Sequence, residues 1–314
     1  MSQESSKLKI LYIAGEGRSG STIIGNVLGE IEGFFFIGEA MNIWRHFFLD
    51  NKLCACGVPG LDCPVWHKIL NNEFKISSTD AKMMERQRKN SVRNRYVWKY
   101  LFSSTRNNLR KQLSNYLSNL DALYASIAQE TNADVIVDSS KRPTYAFLLG
   151  MLPNVEIYTL HLVRDSRGVA HSWAKKKVQQ QTEKEVIYMR QYSPFKSALR
   201  WNIANFLTER LLRHASKAFI TLRYEDFVSE PTKSITNIFE LLKIPSRNYP
   251  ADGHKGVYLS TNHAIWGNPS RFQKGAIQLK QDVSWREKLP RNAQRIITLF
   301  TWFGLRRYGY LGID

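Results

Sequence analysis

The chain has 314 residues, 43% of them hydrophobic, which is enough to bury the core of one large domain or two small ones. Its 45 Lys and Arg against 27 Asp and Glu give a formal net charge of +18, which favours an anionic partner such as nucleic acid, acidic lipid, acidic glycan or a phosphate-rich cofactor. Neither an apolar run of about 18 residues nor a signal-peptide pattern at Met1–Ser6 is present, so we expect a cytoplasmic protein without a spanning helix.

Predicted strands alternate with predicted helices along the chain. Leu8–Ala14 predicts a buried strand that ends in the glycine-rich stretch 15–20, and Ser21–Ile31 carries apolar residues at helical spacing. The later predicted elements are strands at Phe34–Ile37, Val135–Val137, Ile157–Val163 and Phe219–Leu222, and a helix opened by proline at Pro231–Leu242. This order predicts a three-layer α/β fold, in which helices flank both faces of a central parallel sheet. Ligands of such folds bind beyond the carboxyl ends of the strands.

A basic segment lies between the second and third predicted strands. Residues 82–127 are predicted to be largely helical, and residues 82–111 hold ten Lys or Arg against the single acid Glu85. Such a charge run is usually a solvated face, and it can equally bind an anion. No repeat or linker divides the sequence, so we predict a single domain over residues 1–314.

Three cysteines lie close together in and beside the turn-rich stretch Asn51–Pro64. Cys54 and Cys56 are followed by Cys63 and then by His67, so a Cys₃His zinc site is conceivable, because zinc prefers thiolates and imidazole. However, the spacing of Cys54 and Cys56 is tighter than in common zinc fingers, and no second ligand pair follows. Packing or a local disulfide is therefore favoured over a metal. An odd cysteine count in a reducing compartment also argues against a disulfide framework, and the role of the three cysteines stays open.

The glycine-rich loop after the first strand predicts a phosphate site. Gly15, Gly17 and Gly20 match the dinucleotide fingerprint, and Glu39 lies nineteen residues after Gly20, where a ribose-binding acid is expected. The same loop nearly matches the Walker pattern, but Ser21 replaces the lysine, which weakens a kinase or NTPase interpretation. In each case, the backbone N–H groups at a helix start bind an anion. The loop alone does not identify the nucleotide.

A second anion site is predicted where the strand Ile157–Val163 ends. Arg164 follows that strand, and Ser172 lies eight residues later in the next helix, a little over two turns away. Together they can bind a terminal phosphate, whereas a nicotinamide-dependent dehydrogenase leaves this pair without a function. The alternatives are that Arg164 pairs with Asp165 or Glu225, and that Ser172 caps or lines its helix.

Four segments follow one another along the chain: Gly17–Thr22, Ile37–Glu39, Val163–Ser172 and Leu222–Asp226. In this order and spacing they resemble the PAPS-dependent sulfotransferases, which use 3′-phosphoadenosine-5′-phosphosulfate. Three smaller segments resemble the bacterial branch of that family: Cys54–Gly57 with Cys63–Trp66, Val137–Lys141, and Gly267–Phe272. The resemblance extends from about residue 8 to residue 290, and it implies the P-loop NTPase-like sulfotransferase fold.

The resemblance implies a role for each matching residue. The backbone amides of Arg18, Ser19, Gly20, Ser21 and Thr22, with the hydroxyls of Ser21 and Thr22, bind the 5′-phosphosulfate. Arg164 and Ser172 bind the 3′-phosphate, Tyr224 lies near the adenine, and Arg271, with Lys274 and Gly275, closes over the nucleotide. Many relatives have lysine where this chain has Arg18, and tyrosyl-protein sulfotransferases have arginine there.

The implied reaction is an in-line attack of an acceptor hydroxyl or nitrogen on sulfur, which releases 3′-phosphoadenosine-5′-phosphate (PAP) and requires no metal. Arg18 and the loop amides stabilise the charge on the leaving oxygen. Glu39 is the candidate general base, and a structural ion pair between Glu39 and Arg18 is the alternative. Other members of the family use histidine as the base, so the reserve candidates are His46, His161, His171 and His263.

Acceptor binding in this family comes from insertions, here expected to be helical and to span about 75–130 and 175–200. A small-molecule natural product with a hydroxyl or amine is the first choice of acceptor, a saccharide the second and a tyrosine in a peptide the third. Two other classes remain as alternatives. A P-loop kinase or NTPase could use Asp138 at the end of a strand to bind magnesium, and a basic nucleic-acid-binding module would need a recognition signature that the sequence lacks. We expect no membrane partner and no nucleic-acid partner.

Overall fold

The computed structural model describes residues 7–72, 76–93, 96–182, 185–249 and 256–312, so Met1–Ser6, where no signal peptide was expected, lie outside the described residues. The strands are β1 Leu8–Ala14, β2 Phe34–Gly38, β3 Val135–Lys141, β4 Val155–Val163, β5 Val178–Gln181, β6 Val186–Tyr188, β7 Ala218–Arg223, β8 Gly256–Leu259 and β9 Gly275–Gln278. The helices are α1 Ser21–Leu28, α2 Pro64–Asn72, α3 Ser78–Ser91, α4 Trp98–Leu101, α5 Ser103–Gln112, α6 Ser114–Thr131, α7 Pro143–Leu149, α8 Ser166–Ala174, α9 Pro194–Ala215, α10 Tyr224–Ser229, α11 Pro231–Leu242, α12 Trp285–Lys288 and α13 Arg291–Arg307.

Five strands form one parallel sheet in the order β2-β3-β1-β4-β7. The alternation of side chains along β1 explains the three layers, because successive residues of a strand point to opposite faces. Leu11 and Ile13 pack with residues of α1 and α11, whereas Ile10 and Tyr12 pack with residues of α6 and α7 on the other face. The predicted α/β fold with a parallel sheet between helical layers is confirmed.

The parallel order brings the carboxyl ends of all five strands to one edge of the sheet. The glycine-rich loop follows β1, Glu39 follows β2, Lys141 ends β3, Arg164 follows β4 and Tyr224 follows β7. Residues that are far apart in the sequence therefore meet at this edge, as expected for ligand sites of such folds.

The two expected insertions differ in structure. Helices α3 to α6 occupy most of the first insertion, as predicted. The helical prediction for 175–200 is wrong for Val178–Gln181 and Val186–Tyr188, which pair as an antiparallel hairpin before α9 begins at Pro194. β-branched and aromatic residues such as Val186, Ile187 and Tyr188 favour a strand over a helix.

No helix in the described parts of the chain combines the length and the apolar character that crossing a membrane requires. The expected cytoplasmic location stays a prediction, as does the assignment of residues 1–314 to a single domain.

Candidate active site

A cleft of about 1330 Å³ opens at the carboxyl edge of the sheet. Most of its charged side chains are cationic: Arg18, Arg45, Arg88, Arg93, Lys141, Arg142, Arg164, Lys177, Arg190, Arg200 and Lys280. The three acids in the lining are each paired with one of these cations: Glu16 with Arg200 at 2.8 Å, Glu39 with Lys141 at 2.6 Å and Asp282 with Arg164 at 3.3 Å. The cleft therefore keeps a strong positive charge that attracts anions.

The loop between β1 and α1 has the backbone conformation of an anion site. Gly20 has φ 94°, and a Cβ atom there would lie 2.3 Å from the ring of Tyr224, so the close packing of loop and ring requires glycine. Helix α1 begins at Ser21, and its N-cap residue Gly20 has no side chain with which to cap the helix start. Ser21 and Thr22 line the cleft, whereas the Ser19 side chain is buried outside the lining. The helix start can therefore bind an anion through its amides.

Arg18 is a buried cation without an ion pair in the described part of the chain. Its side chain is only 8% exposed, and its guanidinium lies 5.1 Å from the ring of Trp173. It donates to the sulfur of Met189 at 2.8 Å and to the carbonyl of Ser172 at 3.3 Å, which are both uncharged. Burial, followed by the nearby charge of Arg164, lowers the pKa of Arg18 to about 10. A buried cation of this kind gains energy when an anion binds beside it.

Arg164 lies between the first loop and the end of β7. Its Nη1 donates to the carbonyl of Arg18 at 3.2 Å, and its guanidinium lies 4.8 Å from the ring of Tyr224. The expected alternative partners are not used: Arg164 pairs with Asp282, whereas Asp165 pairs with Arg167. Ser172 and Tyr224 line the same cleft, so the structure brings the predicted 3′-phosphate and adenine residues together.

Glu39 stands opposite the first loop. Its Oε1 accepts from Nζ of Lys141 at 2.6 Å and its Oε2 from Nδ2 of Asn42 at 3.0 Å, so the expected alternative pairing with Arg18 is not formed. A Cβ atom on Gly267 would lie 3.5 Å from Oε1 of Glu39 and 3.5 Å from Oγ1 of Thr22. The carboxylate and the hydroxyl therefore flank the same point of the cleft, and both carboxylate oxygens retain lone pairs for an acceptor proton.

Arg271 is not where the resemblance placed it. Its side chain is fully buried, 4.2 Å from the ring of Phe272 and 5.1 Å from that of Trp266, and does not line the cleft. It donates to the carbonyl of Gly267 at 3.2 Å and to Oε1 of Gln180 at 3.4 Å. Two aromatic rings hold the guanidinium inside the segment, so Arg271 supports this wall of the cleft from behind.

One of the four reserve histidines lines the cleft. His46 stacks on Trp266 with ring centroids 3.8 Å apart, and burial, followed by the charge of Arg45, lowers its pKa to about 3. The other three lie elsewhere: His161 and His171 are buried outside the lining, and His263 faces the cysteines. Glu39, whose carboxylate flanks the cleft together with Thr22, therefore stays the candidate base.

Asp138 does not support the kinase or NTPase alternative. This strand-end carboxylate is fully buried, and it accepts from the Tyr124 hydroxyl at 2.5 Å and from the backbone N–H of Ser140 at 2.7 Å. Burial raises its pKa to about 6, and it does not line the cleft. A magnesium ion held beside phosphates in the cleft needs an accessible carboxylate, which Asp138 does not provide.

Three residues at the site were missed at the sequence level: Lys141, Trp173 and Asp282. Lys141 lies in a segment that carried the family resemblance, and its position at the end of a predicted strand was the available signal. Trp173 directly follows Ser172 and lies against Arg18. No local pattern indicates Asp282, because its partner Arg164 precedes it by more than a hundred residues.

Comparisons with known proteins give a family and a similar fold. The family model described as the sulfotransferase family matches residues 11–248. The fold is similar to that of a sulfotransferase domain from the curacin biosynthetic pathway, with a TM-score of 0.51 and 16% identity over 95% of this chain and 99% of that one. A sulfotransferase domain from the Synechococcus PCC 7002 olefin synthase gives 0.48 and 16% over 95% and 96%, and sulfotransferase STF9 from Mycobacterium avium gives 0.39 and 10% over 77% and 65%. No curated protein matches the chain.

Proposed function

The chain belongs to the sulfotransferase family, and on that premise we propose that it transfers the sulfuryl group of PAPS to a hydroxyl or amine of a small-molecule acceptor and releases PAP. The proposal rests on two anion sites at neighbouring strand ends. The first loop follows β1, Arg164 follows β4, and the two are joined by the hydrogen bond from Arg164 to the carbonyl of Arg18. A nucleotide with phosphoryl groups at both the 5′ and 3′ positions has an anion for each site.

In the proposed reaction, the hydroxyl oxygen or amine nitrogen of the acceptor attacks sulfur, and Glu39 accepts the proton that this group loses. The new bond to sulfur forms as the bond between sulfur and the 5′-phosphate oxygen breaks, and the electron pair of that bond stays on PAP. The start of α1 and the guanidinium of Arg18 stabilise this developing charge. Lys141 and Asn42 orient the carboxylate of Glu39 toward the acceptor. None of these steps requires a metal ion.

The size and lining of the cleft support a small-molecule acceptor. Its volume of about 1330 Å³ exceeds the roughly 300–1,000 Å³ typical of a pocket for one drug-sized ligand, so a nucleotide and an acceptor can occupy it together. Besides its many cations, the lining includes Met41, Val92, Pro143 and the stacked rings of His46 and Trp266. This apolar and aromatic wall suits the hydrocarbon part of a natural product. A saccharide and a tyrosyl peptide are the second and third choices.

A thermal-melting comparison tests the nucleotide. We expect PAP to raise the melting temperature much more than AMP, NAD or ATP, because a ligand at about 1,000 times its Kd adds roughly 4 kcal/mol to the free energy of unfolding. Incubation with sulfur-labelled PAPS and a panel of alcohols, amines, saccharides and tyrosyl peptides then tests the transfer. Stabilisation by NAD or ATP but not by PAP would contradict the proposal.

A further inference from the structure

The three cysteines meet one histidine outside the cleft. Sγ of Cys63 lies 3.7 Å from Sγ of Cys56 and 3.2 Å from Nδ1 of His263, and Sγ of Cys54 lies 3.9 Å from the same nitrogen. All four atoms lie within 4.8 Å of one another. His67, the histidine next to these cysteines in the sequence, is exposed instead. The fourth residue of the cluster comes from two hundred positions later in the chain.

These spacings fit a tetrahedral zinc ion. Bonds of about 2.3 Å to sulfur and about 2.0 Å to nitrogen place neighbouring sulfurs about 3.8 Å apart and a sulfur about 3.5 Å from the nitrogen. The distances of 3.7 Å between sulfurs and of 3.2 and 3.9 Å between sulfur and nitrogen agree with this geometry. Thiolates with an imidazole in a tetrahedral arrangement select zinc among the common divalent metals.

A tight backbone turn holds the first two cysteines. The tight spacing of the first two cysteines is possible because Gly57 has φ 99° and Cys54 N donates to the carbonyl of Val58 at 2.8 Å. The turn therefore presents two sulfurs on one side, as a chelating loop does.

From this arrangement we propose that Cys54, Cys56, Cys63 and His263 bind one structural Zn²⁺. The site is closed, because Cys54 and Cys63 have no exposed surface and protein atoms supply all four ligands. A disulfide needs its sulfurs about 2.05 Å apart and uses only two cysteines, leaving the third thiol and the imidazole unexplained. This proposal replaces the earlier preference for packing or a disulfide, and it does not depend on the proposed sulfuryl transfer.

The zinc ion fixes the wall of the cleft. Ala55 N donates to the carbonyl of Ala264 at 3.1 Å, and Nε1 of Trp66 donates to the carbonyl of His263 at 2.6 Å, so the turn and the later segment already lie side by side. The later segment continues directly into Trp266 and Gly267, which line the cleft beside Glu39. A zinc ion with three ligands from the cysteine segment and one from the later segment would hold the two segments together.

Metal analysis of the purified full chain tests the site. We expect one zinc per chain after exhaustive dialysis against buffer that contains a weak chelator, and release of that zinc as three thiols react with a mercurial reagent. Cobalt substitution should give the visible absorption of a tetrahedral site with thiolate ligands. His263→Ala should lose most of the zinc, whereas the matched control His67→Ala should keep it. These readouts do not depend on enzyme activity.

Three outcomes would overturn the proposal. The first is a wild-type chain that contains no zinc when it is produced with zinc in the medium and that shows a Cys56–Cys63 disulfide by mass spectrometry. The second is His263→Ala that folds and retains stoichiometric zinc, and the third is iron in place of zinc. If His263→Ala does not fold, the wild-type metal content and the mercurial titration are the deciding measurements.

Discussion

Nζ of Lys141 lies 2.6 Å from Oε1 of Glu39, so the last residue of β3 holds the carboxylate that follows β2. Lys141 has φ 68°, a left-handed backbone conformation that costs a residue with a side chain about 1–2 kcal/mol. Its ammonium also donates to the carbonyl of Ser139 at 2.9 Å. Strained residues of this kind cluster at functional sites, which supports a role for Lys141 in positioning Glu39.

Glu39→Gln should lower kcat by about 10²–10⁴ while the Kd for PAP changes little, because the amide keeps the shape of the side chain but cannot accept the proton. Steady-state kinetics and calorimetric PAP titration measure the two effects separately. Glu209→Gln, which removes an acid paired with Arg307 outside the cleft, is the control and should leave both values unchanged. A rate near that of the wild type would show that Glu39 is not the base.

Lys141→Met, alone and combined with Glu39→Gln, tests whether Lys141 acts by positioning Glu39. If it does, the double variant Glu39→Gln/Lys141→Met should have a kcat no lower than that of Glu39→Gln alone, because the lysine then has no carboxylate to orient. Additive losses would mean that Lys141 acts on the reaction independently of Glu39.

Arg164→Gln should reduce the preference for PAP over AMP by about 10-fold to 150-fold, since a hydrogen bond to a charged group contributes about 1.5–3 kcal/mol. Competition titrations with the two nucleotides give the ratio directly. The control is Arg167→Gln. Arg167 lies three residues later, pairs with Asp165 and does not line the cleft. An unchanged ratio in Arg164→Gln would remove the second anion site and with it the basis for choosing PAPS.

Arg18→Met should make the ligand-free chain more stable and less active. Burial and Arg164 disfavour the charged form of Arg18, as its lowered pKa shows, so a neutral side chain of similar length should raise the free energy of unfolding by about 1–3 kcal/mol. Chemical denaturation and kcat measure the two effects. The control Arg45→Met removes a half-exposed cation of the same cleft that is paired with Asp50, and it should bring no such gain. A less stable Arg18→Met would show that Trp173 and Met189 already compensate the charge.

Gly20→Ala should abolish measurable PAP binding, because the new methyl group would lie 2.3 Å from the ring of Tyr224 and push either the loop or the ring out of place. Gly312 is a matched control for backbone strain, since it also has a positive φ, 94°, but its Cβ would meet nothing within 4 Å. Both variants place alanine in a backbone conformation with positive φ. In calorimetric titration, only Gly20→Ala should fail to bind PAP. Equal affinity in the two variants would contradict the close packing of the loop.

The strand ends and the first loop were predictable because each depends on a local pattern, an apolar strand followed by glycines or by a charged residue. The pairing of Glu39 with Lys141 was not, because it follows from the parallel register of β2 and β3, strands about a hundred residues apart. His263 was not predictable as a partner of the cysteines because it lies two hundred positions after Cys63. The family resemblance suggested a nucleotide-closing role for Arg271, but two aromatic rings bury the guanidinium, and no local pattern indicates that packing.

The pH dependence of stability distinguishes a buried neutral His46 from a catalytic base. Its pKa is lowered from 6.5 in the unfolded chain to about 3 in the folded one, so between these values the unfolded chain binds the additional proton and stability falls as the pH falls. His46→Gln removes the contribution of this histidine to the pH dependence of stability. From pH 7 to pH 4.5 the variant should therefore lose about 2 kcal/mol less than the wild type in the free energy of unfolding. The same substitution at the exposed His67 controls for the loss of a histidine.

The rate profile gives a second test of His46. Because neutral His46 does not titrate between pH 5 and pH 8, His46→Gln should keep the shape of the pH–rate profile in that range. A shifted acidic limb would return His46 to the candidate bases.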